Sequence, residues 1–317
     1  MARVAAIDCG TNSIRLLVAD VTRREDGSFA LRDVHREMRI VRLGEGVDAT
    51  GRLSVAALMR TRDALADYTL IVRRKGAEQV RMVATSATRD AANRDDFFTL
   101  ARDVLGVEAE VITGDEEARL SFTGAVGDLE PEDGPFVVTD IGGGSTELVL
   151  GTWDGARAEV KAARSVDIGC VRITERCLRG DPPTTEEVAA ARDLTVRVLT
   201  EAFDAVPVAD ARTWVGVAGT ITTLGAVALG LAEYDADRTH LTRLGIEELG
   251  RTTERLLSAS HDERAANPVI HPGRVDVIGG GALIATVLAD ELKMRAGISE
   301  LLISEHDILD GIALSLV

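Results

Sequence analysis

Cysteine, lysine, aromatic residues and long apolar runs are all scarce in this chain. The three cysteines, Cys9, Cys170 and Cys177, are odd in number and lack the spacing of a zinc site. That fits structural thiols in a reducing compartment better than a disulfide framework. No apolar run is long enough to span a bilayer, so no membrane partner is expected. The first residues enter a strand at once and stop at Asp8, which argues against a secretory signal and for a cytoplasmic protein. Positive charge is short as well. A formal net charge of −16 argues against a general nucleic-acid binder, whose broad basic surface would neutralise phosphates. Lys75, Lys161 and Lys293 are the only lysines, so the cationic supply is arginine. Genomic codon usage is the bland reading of that skew, and arginine is also the side chain that grips phosphate bidentately. A polyanionic ligand would need a local channel, for which Arg15, Arg42, Arg164 and Arg172 are candidates.

What is present is a duplication. Asp8-Cys9-Gly10-Thr11-Asn12-Ser13 returns in register as Asp140-Ile141-Gly142-Gly143-Gly144-Ser145. Each copy is entered and left by apolar, β-branched runs, Val4 to Ile7 and Ile14 to Val18, then Phe136 to Thr139 and Leu148 to Leu150. Each reads as strand, tight loop, strand. Glycine lets a backbone turn its N–H groups toward a ligand, and Thr11, Ser13, Ser145 and Thr146 add hydroxyl donors suited to phosphate oxygens. Asp8 and Asp140 end apolar strands, where an unpaired carboxylate is costly, so a metal ion, a water or neighbouring N–H groups are expected to meet them.

With 317 residues, 45% hydrophobic and 28% charged, the chain is long enough for two domains of similar size. A third strand is predicted over Phe29 to Met38 or beyond, and a long helix capped by Ser54 that ends before Gly76. Then come a strand at Val80 to Ala84, a helix around Asp96 to Leu105, a strand at Glu108 to Ile112 and a helix near Asp115. A linker, Asp128 to Gly134, separates the halves. The second half opens with strands near 136–140, 146–152 and 157–164, and a helix follows from about Val171. Thr184 to Glu187 fits a capping box for a helix reaching Phe203. A strand at Thr213 to Val217 runs into Ala218-Gly219-Thr220, after which helices dominate; a helix from Asp276-Val277-Ile278 to about Leu292, a strand near Ile298 to Ile303 and a helix from about Asp307 close the chain. This is α/β architecture with mixed sheets.

Three further constellations have a functional and a structural reading. Glu147 leaves the second loop on the face of Ser145 and either holds a metal with Asp140 or is a solvated strand carboxylate. Asp115, Glu116 and Glu117 crowd a helix start, where acids complement the dipole. Alternatively, one of them is the general base for a water attacking a phosphoanhydride. Arg89, after the Val80 to Ala84 strand, either stabilises a transferring phosphoryl group or is a surface arginine. The turns at Val217-Ala218-Gly219-Thr220 and Gly279-Gly280-Gly281 seat a nucleotide or further phosphates, or serve close packing.

Taken in order, Asp8 to Ser13, Ala84 to Arg89, Thr113 to Ala118, Asp140 to Glu147 and Val217 to Thr220 resemble the exopolyphosphatase and guanosine pentaphosphate phosphohydrolase family. That family lies within the superfamily of acetate and sugar kinases, heat-shock chaperone ATPases and actin. The resemblance spans essentially the whole chain. It implies two actin-like, ribonuclease H-like domains, over 1–130 and 131–304, with a last helix at about 305–317 returning to the first and the active site in the cleft between domains. It implies Glu117 as the catalytic glutamate and Arg89 beside the scissile phosphate. Asp8, Gly10, Thr11, Asn12 and Ser13, with Gly142, Gly143, Gly144, Ser145 and Thr146, would hold phosphate, and Asp140 and Glu147 would hold metal. The implied cofactor is Mg2+, with Mn2+ as a substitute, and the implied assembly is a homodimer.

The expected activity is release of terminal orthophosphate from inorganic polyphosphate. Many members carry further helical domains that extend a basic channel; the chain stops before them, so short chains are the expected substrate. The segment Ser304 to Gly311 also lacks an arginine that many members carry near this glycine. The same chemistry on guanosine pentaphosphate (pppGpp) is the alternative, since both substrates present the same anhydride. A kinase or a non-catalytic nucleotide-binding module of the superfamily comes after it.

Overall fold

The apolar runs that end at Asp8 and Asp140 form central strands of two separate sheets. The computed structural model describes all residues 1–317. Its first part is β1 (Ala2–Cys9), β2 (Ser13–Arg23), β3 (Phe29–Ile40), α1 (Val47–Thr50), α2 (Val55–Lys75), β4 (Gln79–Ala84), α3 (Ser86–Asp90), α4 (Arg94–Leu105), β5 (Ala109–Val111) and α5 (Gly114–Ala125). There follow β6 (Phe136–Ile141), β7 (Thr146–Trp153), β8 (Ala158–Val166), α6 (Cys170–Cys177), α7 (Thr185–Ala205), β9 (Thr213–Val217) and α8 (Ala218–Ala228). The last are α9 (Ala236–Thr239), β10 (Arg243–Gly245), α10 (Ile246–Ser258), α11 (His261–Ala265), α12 (Ile278–Ala296), β11 (Glu300–Ile303) and α13 (Ile308–Leu314). One unit comprises 1–128, 154–158 and 307–317; the other comprises 129–153 and 159–306.

The first sheet has the order β3-β2-β1-β4-β5, and the second β10-β11-β9-β6-β7-β8. β1 pairs antiparallel with β2 and parallel with β4, while β6 pairs antiparallel with β7 and parallel with β9. The duplicated sequence is therefore a duplicated topology, in which a hairpin comes first and parallel strands are added on its other side. In the first unit, alternation along the strands buries both faces. Ala5, Ile7, Ile14 and Leu16 pack with α2 and α4, whereas Val4, Ala6, Leu17 and Ala19 pack with Ile308, Leu309 and Ile312 of α13.

The end signals act as their chemistry predicts. Ser54 accepts from the Ala57 N–H, Gly76 stops α2 at φ 71°, and Thr184 and Glu187 form a reciprocal capping box on α7. The sequence reading did not anticipate α1, α3 or β10. Each is five residues or fewer, too short for a period to register. The linker holds a 3-10 turn at Pro131–Asp133.

Candidate active site

Parallel pairing brings three chain segments of the first unit to one sheet edge. Cys9 lies beside Ala84, and Ala84 beside Val111. The loop Gly10 to Asn12, the turn into α3 and the turn into α5 all leave from that edge, the side on which α/β sheets bind ligands.

The two hairpin loops are built alike. Gly10 N–H donates to the Ser13 carbonyl at 2.9 Å, and Gly142 N–H donates to the Ser145 carbonyl at 3.0 Å. In the first loop the carbonyls of Thr11 and Asn12 accept from Gly44, Val41 and Arg42. In the second, the carbonyls of Gly142 and Gly143 accept from Cys170, Val171 and Arg172 at the start of α6, and Arg172 Nε donates to the Gly144 carbonyl at 2.8 Å. Both loops thus spend their acceptors on protein, the polarity wanted where an anion is to meet N–H groups. Gly169 permits the approach of α6, since a Cβ there would lie 2.4 Å from the Gly143 carbonyl. Thr11 and Ser145 are buried, and Asn12 and Ser13 are half-buried. Thr146 is fully buried on β7, and its hydroxyl donates to the Ile168 carbonyl at 2.6 Å, so that proton is committed to the wall of the loop.

Asp8, 4% exposed, stands opposite Arg15 in the β1–β2 ladder. Arg15 donates to Asp8 Oδ2 through Nε at 3.0 Å and Nη2 at 2.7 Å, and its Nη1 donates to Asp307. Burial lifts the Asp8 carboxyl above its ordinary range, Arg15 pulls it back and Asp307 adds to the rise. Asp8 Oδ1 is buried without a hydrogen-bond partner, and so is the Thr88 hydroxyl of α3. No other buried side-chain atom of the protein is in that state, and both belong to elements at this edge. An orphaned acceptor and hydroxyl at one edge suit a site that receives water or ligand.

The three acids of α5 part company. Asp115 accepts from Arg119 at 2.8 Å and Glu116 from Arg81 at 2.7 Å, both on the surface. Glu117 turns inward, is 8% exposed, and accepts from Arg89 Nη1 at 2.6 Å. Arg89 Nη1 also donates to the Ile112 carbonyl at 3.1 Å, which anchors the guanidinium at the end of β5. Thr113 caps α5 by accepting from Glu116 N–H, which fixes the first turn and with it the direction of Glu117.

In the second unit the hairpin register sets Asp140 directly across from Glu147, 6% and 1% exposed. Glu147 accepts from the Ser165 hydroxyl at 2.7 Å. Two opposed, buried carboxylates present hard oxygen donors, which suit a divalent ion such as Mg2+. The donor set therefore fits the metal that the sequence suggested.

The sequence reading missed several residues that the fold brings to these places. Ser165 arrives from β8 and Asp307 from the C-terminal segment. Arg274 lays its guanidinium over Gly219, where a Cβ would come within 2.1 Å of Nη2, and its Nη1 donates to the Thr223 hydroxyl at 3.1 Å. Beside it Ala218 sits at φ 67°, a strained turn for a residue with a Cβ. The only advance signal was the strand-glycine-helix pattern around Gly219.

A model of the Ppx/GppA phosphatase family matches residues 20–316. The chain belongs to the Ppx/GppA phosphatase family. It is 57% identical to exopolyphosphatase 2 of Mycobacterium tuberculosis, over 100% of this chain and 99% of that one. A crystal structure of an exopolyphosphatase-like protein superposes with TM-score 0.93 at 41% identity, over 99% of this chain and 98% of the other. The Ppx/GppA family member of Aquifex aeolicus superposes with TM-score 0.79 at 31% identity, over 99% and 97%. The α/β fold of two mixed sheets flanked by helices is that of these Ppx/GppA proteins, with the actin-like topology that the sequence implied. No helix of the chain is long and apolar enough to cross a membrane.

Proposed function

We propose that this Ppx/GppA phosphatase is an exopolyphosphatase that hydrolyses the terminal anhydride of inorganic polyphosphate. The observation that carries the reading is the pair of half-buried Arg89 with buried Glu117 at the sheet edge, in a chain whose whole length matches an exopolyphosphatase. Glu117 accepts a proton from water as the water oxygen attacks the end phosphorus. The bridging P–O bond breaks, orthophosphate leaves and the shortened chain keeps the bridging oxygen. Arg89 neutralises charge on the equatorial oxygens, and the loops Gly10 to Ser13 and Gly142 to Ser145 hold phosphate through N–H groups and hydroxyls. Asp140 and Glu147 would hold Mg2+, which when bound offsets phosphate charge. The free thiols Cys9, Cys170 and Cys177 suit a reducing cytoplasm.

Orthophosphate release from polyphosphates of graded length and from pppGpp, with and without Mg2+, tests the reading. Faster turnover of short polyphosphate is the expected result. No release from polyphosphate of any length overturns it, and a higher kcat/KM on pppGpp moves the assignment to the alternative substrate.

A further inference from the structure

Nothing in the reaction as described uses Asp307, yet it binds Arg15, the partner of Asp8, and packs against α5, the helix that carries Glu117. Its one oxygen receives Arg15 Nη1, while Oδ1 accepts the Leu309 N–H at 2.9 Å and caps α13. Asp310 closes the capping box by accepting the Asp307 N–H at 3.0 Å, and it also takes Arg36 of β3. Residue 307 is equally fixed from the other side. A Cβ on Gly124 of α5 would lie 1.8 Å from the Asp307 carbonyl oxygen, and one on Gly311 would lie 2.0 Å from the Leu120 carbonyl. The cap of α13 and the helix that carries Glu117 are therefore in backbone contact.

An arginine with a single counter-ion can swing about it. One whose fork is filled on both sides cannot. With Nη1 on Asp307, the Nε and Nη2 edge of Arg15 is left to Asp8, and both N–H groups settle on the same oxygen, Oδ2. Asp8 Oδ1 then remains as a buried acceptor beside the Gly10 to Asn12 loop.

We propose that Asp307 is a positioning residue for this reaction: by clamping Arg15 it holds Asp8 with Oδ1 open, and it couples the phosphate loop to the helix of Glu117. This rests on the exopolyphosphatase reading for its kinetic consequence only. Asp307→Asn keeps a cap for Leu309 and removes the charge that clamps Arg15. On polyphosphate with Mg2+ its kcat should fall about ten-fold with KM within about two-fold, because a displaced carboxylate weakens the transition state more than binding. In an Arg15→Lys background the same substitution should add little, since its route is already cut.

Hydrogen exchange of the peptide spanning Asp8 to Ile14 gives a readout that needs no substrate. Asp307→Asn should speed exchange in that loop about five-fold or more while the core strands β1 and β2 keep their protection. Additive kinetic losses in the double variant, an unchanged kcat, or unchanged loop exchange each overturn the proposal. A wild-type protein that turns over no polyphosphate overturns the exopolyphosphatase reading instead, and loop exchange then decides the positioning claim alone.

Discussion

Glu147 stands directly across from Asp140 in the β6–β7 ladder, in the place that Arg15 takes opposite Asp8 in the first unit. One duplicated hairpin has thus been given two electrostatic characters. Where the partner is a guanidinium, the aspartate is held by protein; where the partner is a second carboxylate, the pair offers hard oxygen donors of the kind a divalent cation prefers. The sites differ by the sign of one cross-strand neighbour.

A metal held by the carboxylate pair, as proposed, would leave a specific mark. Glu147→Gln or Asp140→Asn should raise the Mg2+ concentration for half-maximal orthophosphate release at least ten-fold, and chelation should abolish the wild-type rate. In metal-free buffer the same variants should melt no lower than wild type, since each removes one of two opposed buried charges. A titration of rate against Mg2+, with melting curves in chelator, checks both.

Glu117→Gln should lower kcat by about 10^2 to 10^4, the range of a lost general base, with KM nearly unchanged. The amide still accepts from Arg89, so the fold should survive. Asp115→Asn, on the exposed side of the same turn, should leave the rate within about two-fold. The contrast separates a catalytic carboxylate from one that merely suits the helix dipole.

The pH dependence of stability should carry the mark of Asp8. Its carboxyl is raised above the usual 3.8, chiefly by burial, so the ionised form is the one the folded state disfavours. The associated stability is fully present below the unfolded value and is lost as pH rises through the folded one. Asp8→Asn should therefore melt above wild type at pH 7, the gap closing as pH falls toward 3.8. Its activity should drop at least about ten-fold. Melting curves across pH 3.5 to about 7 would expose the opposite sign if Arg15 outweighed burial.

Gly124→Ala should be severe, because the added methyl meets the Asp307 backbone, which has nowhere to go. A loss of about 3 kcal/mol or more in urea unfolding is expected, at the upper end of overpacking costs. Gly127→Ala, two residues past the end of the same helix, has open space around it and should be neutral.

Much of this protein was written locally. The two Asp-Gly loops, Ser54, Gly76, Thr184 with Glu187 and the α12 start near Ile278 were legible because capping, turn chemistry and strand alternation act over a few residues. The resemblance of motifs also picked Glu117 out of three adjacent acids, which spacing alone left equivalent. By itself the sequence determined the longer elements, their order along the chain and the doubled hairpin.

What only the tertiary structure decided is who meets whom. Arg15 and Asp307 are separated by 292 positions, and no period links them. They meet because α13 returns to the sheet on which β2 lies, its cap packed against α5 at Gly124. Ser165 reaches Glu147, and Arg274 reaches Gly219, for the same kind of reason. Local signals are set by backbone geometry within one turn or strand, whereas charge partners across a core depend on strand order and helix contact, which emerge only when the chain has packed.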